Sequence, residues 1–177
     1  MVTTRDAILA SAQQRFVVGG YAGTSVRDIA AGAGIDAALV IRHFGSKEAL
    51  FIEATRLDVD HAPVFDGPIE ALGRRVIEFV LAPDDQVKAM FVLLLRAADS
   101  DGVSLRLREA HDEFFVAPLR ARLSGSDADL RARLAASLVG GLLYSLWAVG
   151  DETLAAVDQE RIVQRYAPLL QQLITPA

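Results

Sequence analysis

The sequence predicts an all-α fold of about nine helices, with three short helices in residues 1–46 and a larger helical assembly over 47–177. Three observations carry this prediction. Apolar residues recur at i, i+3 and i+4 in one segment after another. Hydroxyl and carboxylate caps and glycine stops punctuate the chain at helical intervals. No period-two alternation persists anywhere, so no sheet is expected.

The elements follow in order. Thr3 with Asp6 has the form of a capping box, a hydroxyl cap with an acid three residues on. Ile8, Ala12 and Phe16 then recur at i, i+4 and i+8, joined by Leu9, and Gly19-Gly20 supplies a stop. Ser25 and Asp28 open a second short helix carrying Val26, Ile29, Ala30 and Ala33, which Gly34 ends. Asp36 caps a third, whose inward face holds Val40 and Phe44. Gly45 stops it, and Ser46 caps a fourth, of about residues 47–60, through Leu50, Ile52, Ala54 and Leu57. Longer helices are expected near 68–81, 84–98, 103–123, 127–149 and 159–174. Pro68 suits a first helical turn, where its missing N–H costs nothing. Pro83-Asp84 and Ser124-Gly125-Ser126 divide neighbouring helices, and Pro118 should kink or split the one it sits in.

Composition excludes several functions. The 177 residues are 52% apolar, which is ample for a core, and they contain no cysteine. Disulfides, thiolate metal sites and cysteine nucleophiles are therefore out. His43, His61 and His111 lie far apart without metal-ligand spacing, so neither a metal nor another cofactor is expected. No basic segment followed by an apolar stretch opens the chain, which makes a reducing, cytoplasmic setting the expectation. The net charge of -5 hides an asymmetry. Residues 1–56 carry six Lys/Arg and five Asp/Glu, whereas the remaining chain carries 12 and 18.

The strongest feature is residues 5–51, where the second and third helices meet at the tight turn Ala33-Gly34-Ile35. This is a helix-turn-helix layout, in which the later helix enters a DNA major groove. Small bundles with a glycine turn are common, so the specific residues matter more. These are Phe16, Gly20-Tyr21, Thr24-Ser25-Val26, Asp28-Ile29-Ala30, Ala33-Gly34-Ile35, His43-Phe44 and Ser46-Lys47-Glu48 with Leu50. Together they resemble the DNA-binding domain of the tetracycline-repressor (TetR) family over nearly all of residues 5–51.

That resemblance implies a DNA-binding domain over 1–46, a ligand-binding and dimerisation domain over 47–177, and double-stranded DNA as a partner. The start of the second helix, at Thr24, Ser25 and Arg27, would hold a phosphate. Arg27 occupies a position that often faces DNA in the family; the alternative is a solvated surface charge. Lys47 occupies a position that family members use to clamp the backbone. His43 would steady the recognition helix or touch a phosphate, and with no carboxylate partner it supports no enzymatic role. The recognition helix departs from the family pattern. Ile41 stands where an aromatic residue is common, and it can touch a thymine methyl but donate nothing. Arg42 is placed to supply the lost phosphate contact. Asp36 is a favourable cap that also repels phosphate, and Ala37 and Ala38 offer almost no polar readout.

In the C-terminal two-thirds, no charge occurs for 17 residues between Arg133 and Asp151. A membrane span is a poor fit, because the run is short, holds three glycines and two serines, and has no second span or flanking basic cluster. A helix apolar all round is otherwise buried on more than one side. Gly140 and Gly141 allow close approach of helix backbones. As the resemblance implies, two helices from each subunit of a homodimer would pack there. The expected contacts are Leu138, Gly141, Leu142 and Ser145, with Ile162, Tyr166, Leu169 and Leu170 of the last helix. Candidate lining for a small apolar effector is Met90, Phe91, Leu94, His111, Phe114, Phe115, Tyr144 and Trp147, with a filled core as the plainer alternative. An effector there would tilt the fourth helix as a lever on the DNA-binding domain.

The reading is thus a cytoplasmic, ligand-responsive transcription regulator, a repressor released from a near-palindromic operator. One rival is an all-helical small-molecule-binding or interaction protein with a degenerate DNA-binding domain. An enzyme is the other, and no acid/base or nucleophilic constellation is recognisable to support it.

Overall fold

A computed structural model of the protein describes residues 3–56, 62–82, 85–97 and 101–176. Every regular element among the described residues is helical, as the capping and periodicity predict. The chain divides into two compact units. One comprises Met1–Asp58 and Gln86–Arg108, the other Val59–Asp85 and Glu109–Ala177.

The first unit holds α1 (Thr4–Gly23), α2 (Val26–Ala33), α3 (Ala37–Phe44) and α4 (Lys47–Ala54), followed later in the chain by most of α7 (Asp85–Arg96) and α8 (Asp101–His111). The Thr3–Asp6 capping box forms in both directions. The stop expected at Gly19-Gly20 is a kink. Gly20 takes φ 68° and ψ 174°, a combination closed to other residues, and one more turn runs on to Gly23. Ile8, Ala12, Phe16, Ile29, Val40, Leu50 and Phe51 form the core of α1–α4. Ile52 is only partly buried, and Leu57 and the end of the expected 47–60 helix lie outside the described residues. So do Pro83, Asp84 and His61.

In the second unit, α5 (Ala62–Phe65) and a 3-10 turn (Ile69–Ala71) lead into α6 (Leu72–Leu81). The chain returns through the end of α8 into a π-helical stretch, Asp112–Val116, and α9 (Ala117–Arg122). Pro118 therefore neither splits nor ends its helix. The turn before it widens instead, with the Ala117 N–H donating to the Asp112 carbonyl, five residues back. The widened turn makes room for a ring that lacks an N–H. Then come α10 (Ala128–Leu143), a second π stretch (Tyr144–Val149), α11 (Glu152–Ala155) and α12 (Gln159–Ile174).

Two contacts lock this unit. α6 and α12 cross closely at Gly73, where an added Cβ would sit 2.7 Å from the Ala167 carbonyl oxygen. Gln171 spans the crossing, accepting from the Gly73 N–H (2.8 Å) and donating to the Ile69 carbonyl (2.9 Å). At the other end, Arg131 of α10 pairs with Asp127 and donates to the carbonyls of Ile174 and Ser124. A guanidinium at a helix C-terminus meets both the helix dipole and the orphan carbonyls.

Ala128–Val149 is the one helix among the described residues long and apolar enough to cross a membrane, and 33% of that window is buried inside the fold. Its apolar character divides between two faces. Ala132, Ala135, Ala136, Val139, Leu142 and Leu143 point into the core, while Leu130, Leu134 and Tyr144 stand exposed.

Candidate nucleic-acid interface

The first unit fixes two helices against α1. The Ser11 hydroxyl donates to the Ile29 carbonyl (2.8 Å), and Gln13 donates to the Ala54 carbonyl at the end of α4 (3.1 Å). Ser25 and Asp28 form a full capping box at the start of α2, with a 2.6 Å hydroxyl–carboxylate bond in addition. These bonds hold the Asp28 carboxyl below the ordinary carboxylate range. Gly34 turns the chain at φ 68°, ψ 33°, and the Ile35 N–H closes back on the Ala30 carbonyl. Asp36 then caps α3, accepting from the Ala38 N–H at 2.7 Å.

Burial orients α3. Val40 and Phe44 are in the core, so Ala38, Ile41 and Arg42 lie on the opposite, exposed face, with Ile41 44% exposed. Arg27 on α2 and His43 are exposed as well, and Ala37 is partly so. Lys47, at the first turn of α4, holds its ammonium 4.4 Å above the Tyr21 ring. That ring packs against Phe51 (4.8 Å between centroids) and Phe16 (6.1 Å). Burial pushes the Tyr21 phenol up, and the Glu48 charge adds to it. The sequence reading missed this aromatic seat, because nothing in the spacing of Tyr21 and Lys47 announces a contact between α1 and α4. It missed Arg5 too, which lies over the Phe44 ring and pairs with Glu53.

Two expected phosphate ligands have other employment. Thr24 is buried, and its hydroxyl donates to the carbonyls of Gly20 (2.8 Å) and Arg15 (3.0 Å), tying the kink of α1 to the start of α2. It presents no free donor at the surface. The Ser25 hydroxyl is exposed but donates to Asp28. Of the cations expected to face DNA, Arg27 and Arg42 are exposed and Lys47 is partly so.

The comparisons with known proteins fit this arrangement. Residues 8–54 match the model for bacterial regulatory proteins of the tetR family, and residues 70–174 match that for the tetracyclin repressor-like C-terminal domain. The chain belongs to the TetR family. It is accordingly a DNA-binding transcriptional regulator, of a non-enzyme family. A TetR-family regulator from Streptomyces coelicolor A3 is 27% identical, with 97% of this chain and 94% of that one covered and a TM-score of 0.63. NalD, the secondary repressor of the MexAB-OprM multidrug efflux pump in Pseudomonas aeruginosa, is 20% identical, with 94% of each chain covered and a TM-score of 0.70. SmeT, solved as a complex with triclosan, is also 20% identical, with 97% and 89% covered and a TM-score of 0.68. At such identities the latter two show the fold alone. No curated protein matches the sequence.

The other expected residues of this TetR-family chain divide between the two units. Met90, Phe91 and Leu94 are in the first, with Met90 and Leu94 buried. His111, Phe114, Phe115, Tyr144 and Trp147 are in the second. Phe114 and Phe115 lie in one π stretch and Tyr144 and Trp147 in the other. Phe114, Phe115, His111 and Trp147 are half-buried, and the His111 and Phe115 rings are 6.2 Å apart. Tyr144 is instead 54% exposed, on the outer face of its helix. Of the residues expected between subunits, Gly141 and Leu169 are exposed, and Leu138, Ser145 and Tyr166 partly so. Leu142, Ile162 and Leu170 belong to the core of their own unit, because helical spacing turns them inward beside Val139, Leu143 and Val163.

Proposed function

We propose that the chain is a cytoplasmic, homodimeric repressor that grips a near-palindromic operator and releases it when a small apolar effector binds. The observation that carries this reading is the exposed face of α3, with Arg42 on it and Arg27 and Lys47 on the neighbouring helices. Two such faces, related by a dimer axis, meet successive major grooves about 34–36 Å apart or somewhat more. Lys47, seated on Tyr21, is held ready for a phosphate rather than left to sweep through solvent. Dimerisation is supported by the exposed apolar stripe of α10, and effector binding by the half-buried aromatics of the two π stretches. Stretches of this kind are frequent at functional sites.

Selecting bound DNA from a genomic fragment pool tests the reading. The selected site should be near-palindromic, and its affinity should fall linearly with the logarithm of salt concentration. Each lost phosphate contact flattens that line by about 0.9, so alanine at Arg27, Arg42 and Lys47 together should flatten it by up to about five in a dimer. A triple variant that binds as tightly and as salt-sensitively as wild type would show these assignments to be wrong.

A further inference from the structure

We propose that Ile41 reads the operator through the 5-methyl group of a thymine, one in each half-site. The inference rests on the DNA-binding reading above and deepens it. Ahead of Arg42, the exposed face of α3 carries no hydrogen-bonding side chain. Ala37, Ala38 and Ile41 carry none, and Asp36, at the cap, already accepts from the Ala38 N–H. Among base-pair edges in the major groove, the one apolar group is the thymine methyl. An apolar side chain standing on that face has no other partner there that does not lose hydration for nothing.

The structure places Ile41 to make this contact. It is 44% exposed while Val40 and Phe44 anchor the opposite side of α3 in the core. The two alanines before it keep the face low, so the helix can approach the groove floor. The adjacent exposed Arg42 brings a positive charge to the same edge of the helix. The Ile41 contact then supplies discrimination, and the flanking cations supply sequence-independent affinity.

The test uses the selected operator, with each thymine replaced in turn by deoxyuridine, which removes the methyl and leaves the base-pair hydrogen bonds. Wild-type protein should lose about fourfold in affinity at one thymine position per half-site, the value of one buried methyl. Symmetric replacement in both half-sites should cost about 16-fold. An Ile41→Ala variant should bind more weakly and show no penalty at that position, with an unchanged salt slope. If no thymine replacement weakens wild type, or if the penalty persists undiminished in Ile41→Ala, the inference is wrong while the DNA-binding reading stands. Failure of wild type to retain any fragment at low salt would overturn both.

Discussion

The exposed face of α10 offers the sharpest test of quaternary structure. Leu130, Leu134 and Tyr144 are 59%, 46% and 54% exposed, and Leu169 of α12 is 48% exposed. A fully buried leucine is worth about 1.5–3 kcal/mol, so covering the exposed half of Leu134 contributes about 1 kcal/mol. In a two-fold dimer the residue counts twice, giving about 2 kcal/mol. Leu134→Glu forfeits that and places two carboxylates in an apolar interface, each a further penalty. The dimer dissociation constant should therefore rise by at least about 100-fold. Sedimentation at micromolar concentration reads this directly, with the midpoint of thermal unfolding extrapolated to low protein concentration as control. Leu142→Glu makes the contrast. Leu142 is 1% exposed, so its replacement should abolish folding and not merely separate subunits. A wild-type chain that sediments as a monomer, or a Leu134→Glu variant that remains dimeric with wild-type stability, would refute the argument.

Three further outcomes are expected. Asp28 is held below 3.8 by its bonds to Ser25, so its contribution to stability is present above that value and lost as pH falls through its folded pKa; Asp28→Asn should flatten the acid limb of stability against pH, and an unaltered limb would exclude the capping box as its source. Gly73→Ala would set a Cβ 2.7 Å from the Ala167 carbonyl oxygen and 2.9 Å from the Gln171 nitrogen. Neither backbone atom can yield cheaply, and denaturant unfolding should show a loss of about 1–3 kcal/mol, with no loss counting against the close crossing. An effector that quenches Trp147 should change operator affinity about 5–150-fold, and operator should change effector affinity by the same factor; quenching without coupling would mean a pocket with no switch.

The parts of the fold that were legible in the sequence are those where one residue type has one local use. Ser25, Asp36 and Ser46 each cap the helix that follows, as read. Gly34 takes the left-handed conformation that the turn demands. The illegible parts depend on neighbours distant in sequence or on hydrogen-bond register. A single turn such as α5 or α11 is too short to show any apolar period. Pro118 announces a disturbance, but whether the helix breaks or widens depends on the acceptors available in the preceding turn.

The site was legible to a lesser degree, for a related reason. An apolar period marks the inward side of a helix, as for Val40 and Phe44, but a run apolar all round marks none, and one step along a helix turns a side chain by about 100°. Ile41 and Arg42 fall outward because Val40 and Phe44 are claimed by the core of α1–α4. Leu142 falls inward for the same reason, while Leu130 and Leu134 of the same apolar helix stand exposed. Thr24 shows the remaining difficulty. A hydroxyl at a helix start has the same sequence signature whether it faces a phosphate or a carbonyl of its own chain. Here the hydroxyl of Thr24 donates to the Gly20 carbonyl at the kink of α1. A structural duty of this kind withdraws a residue from the interface and leaves recognition to the side chains the core does not need.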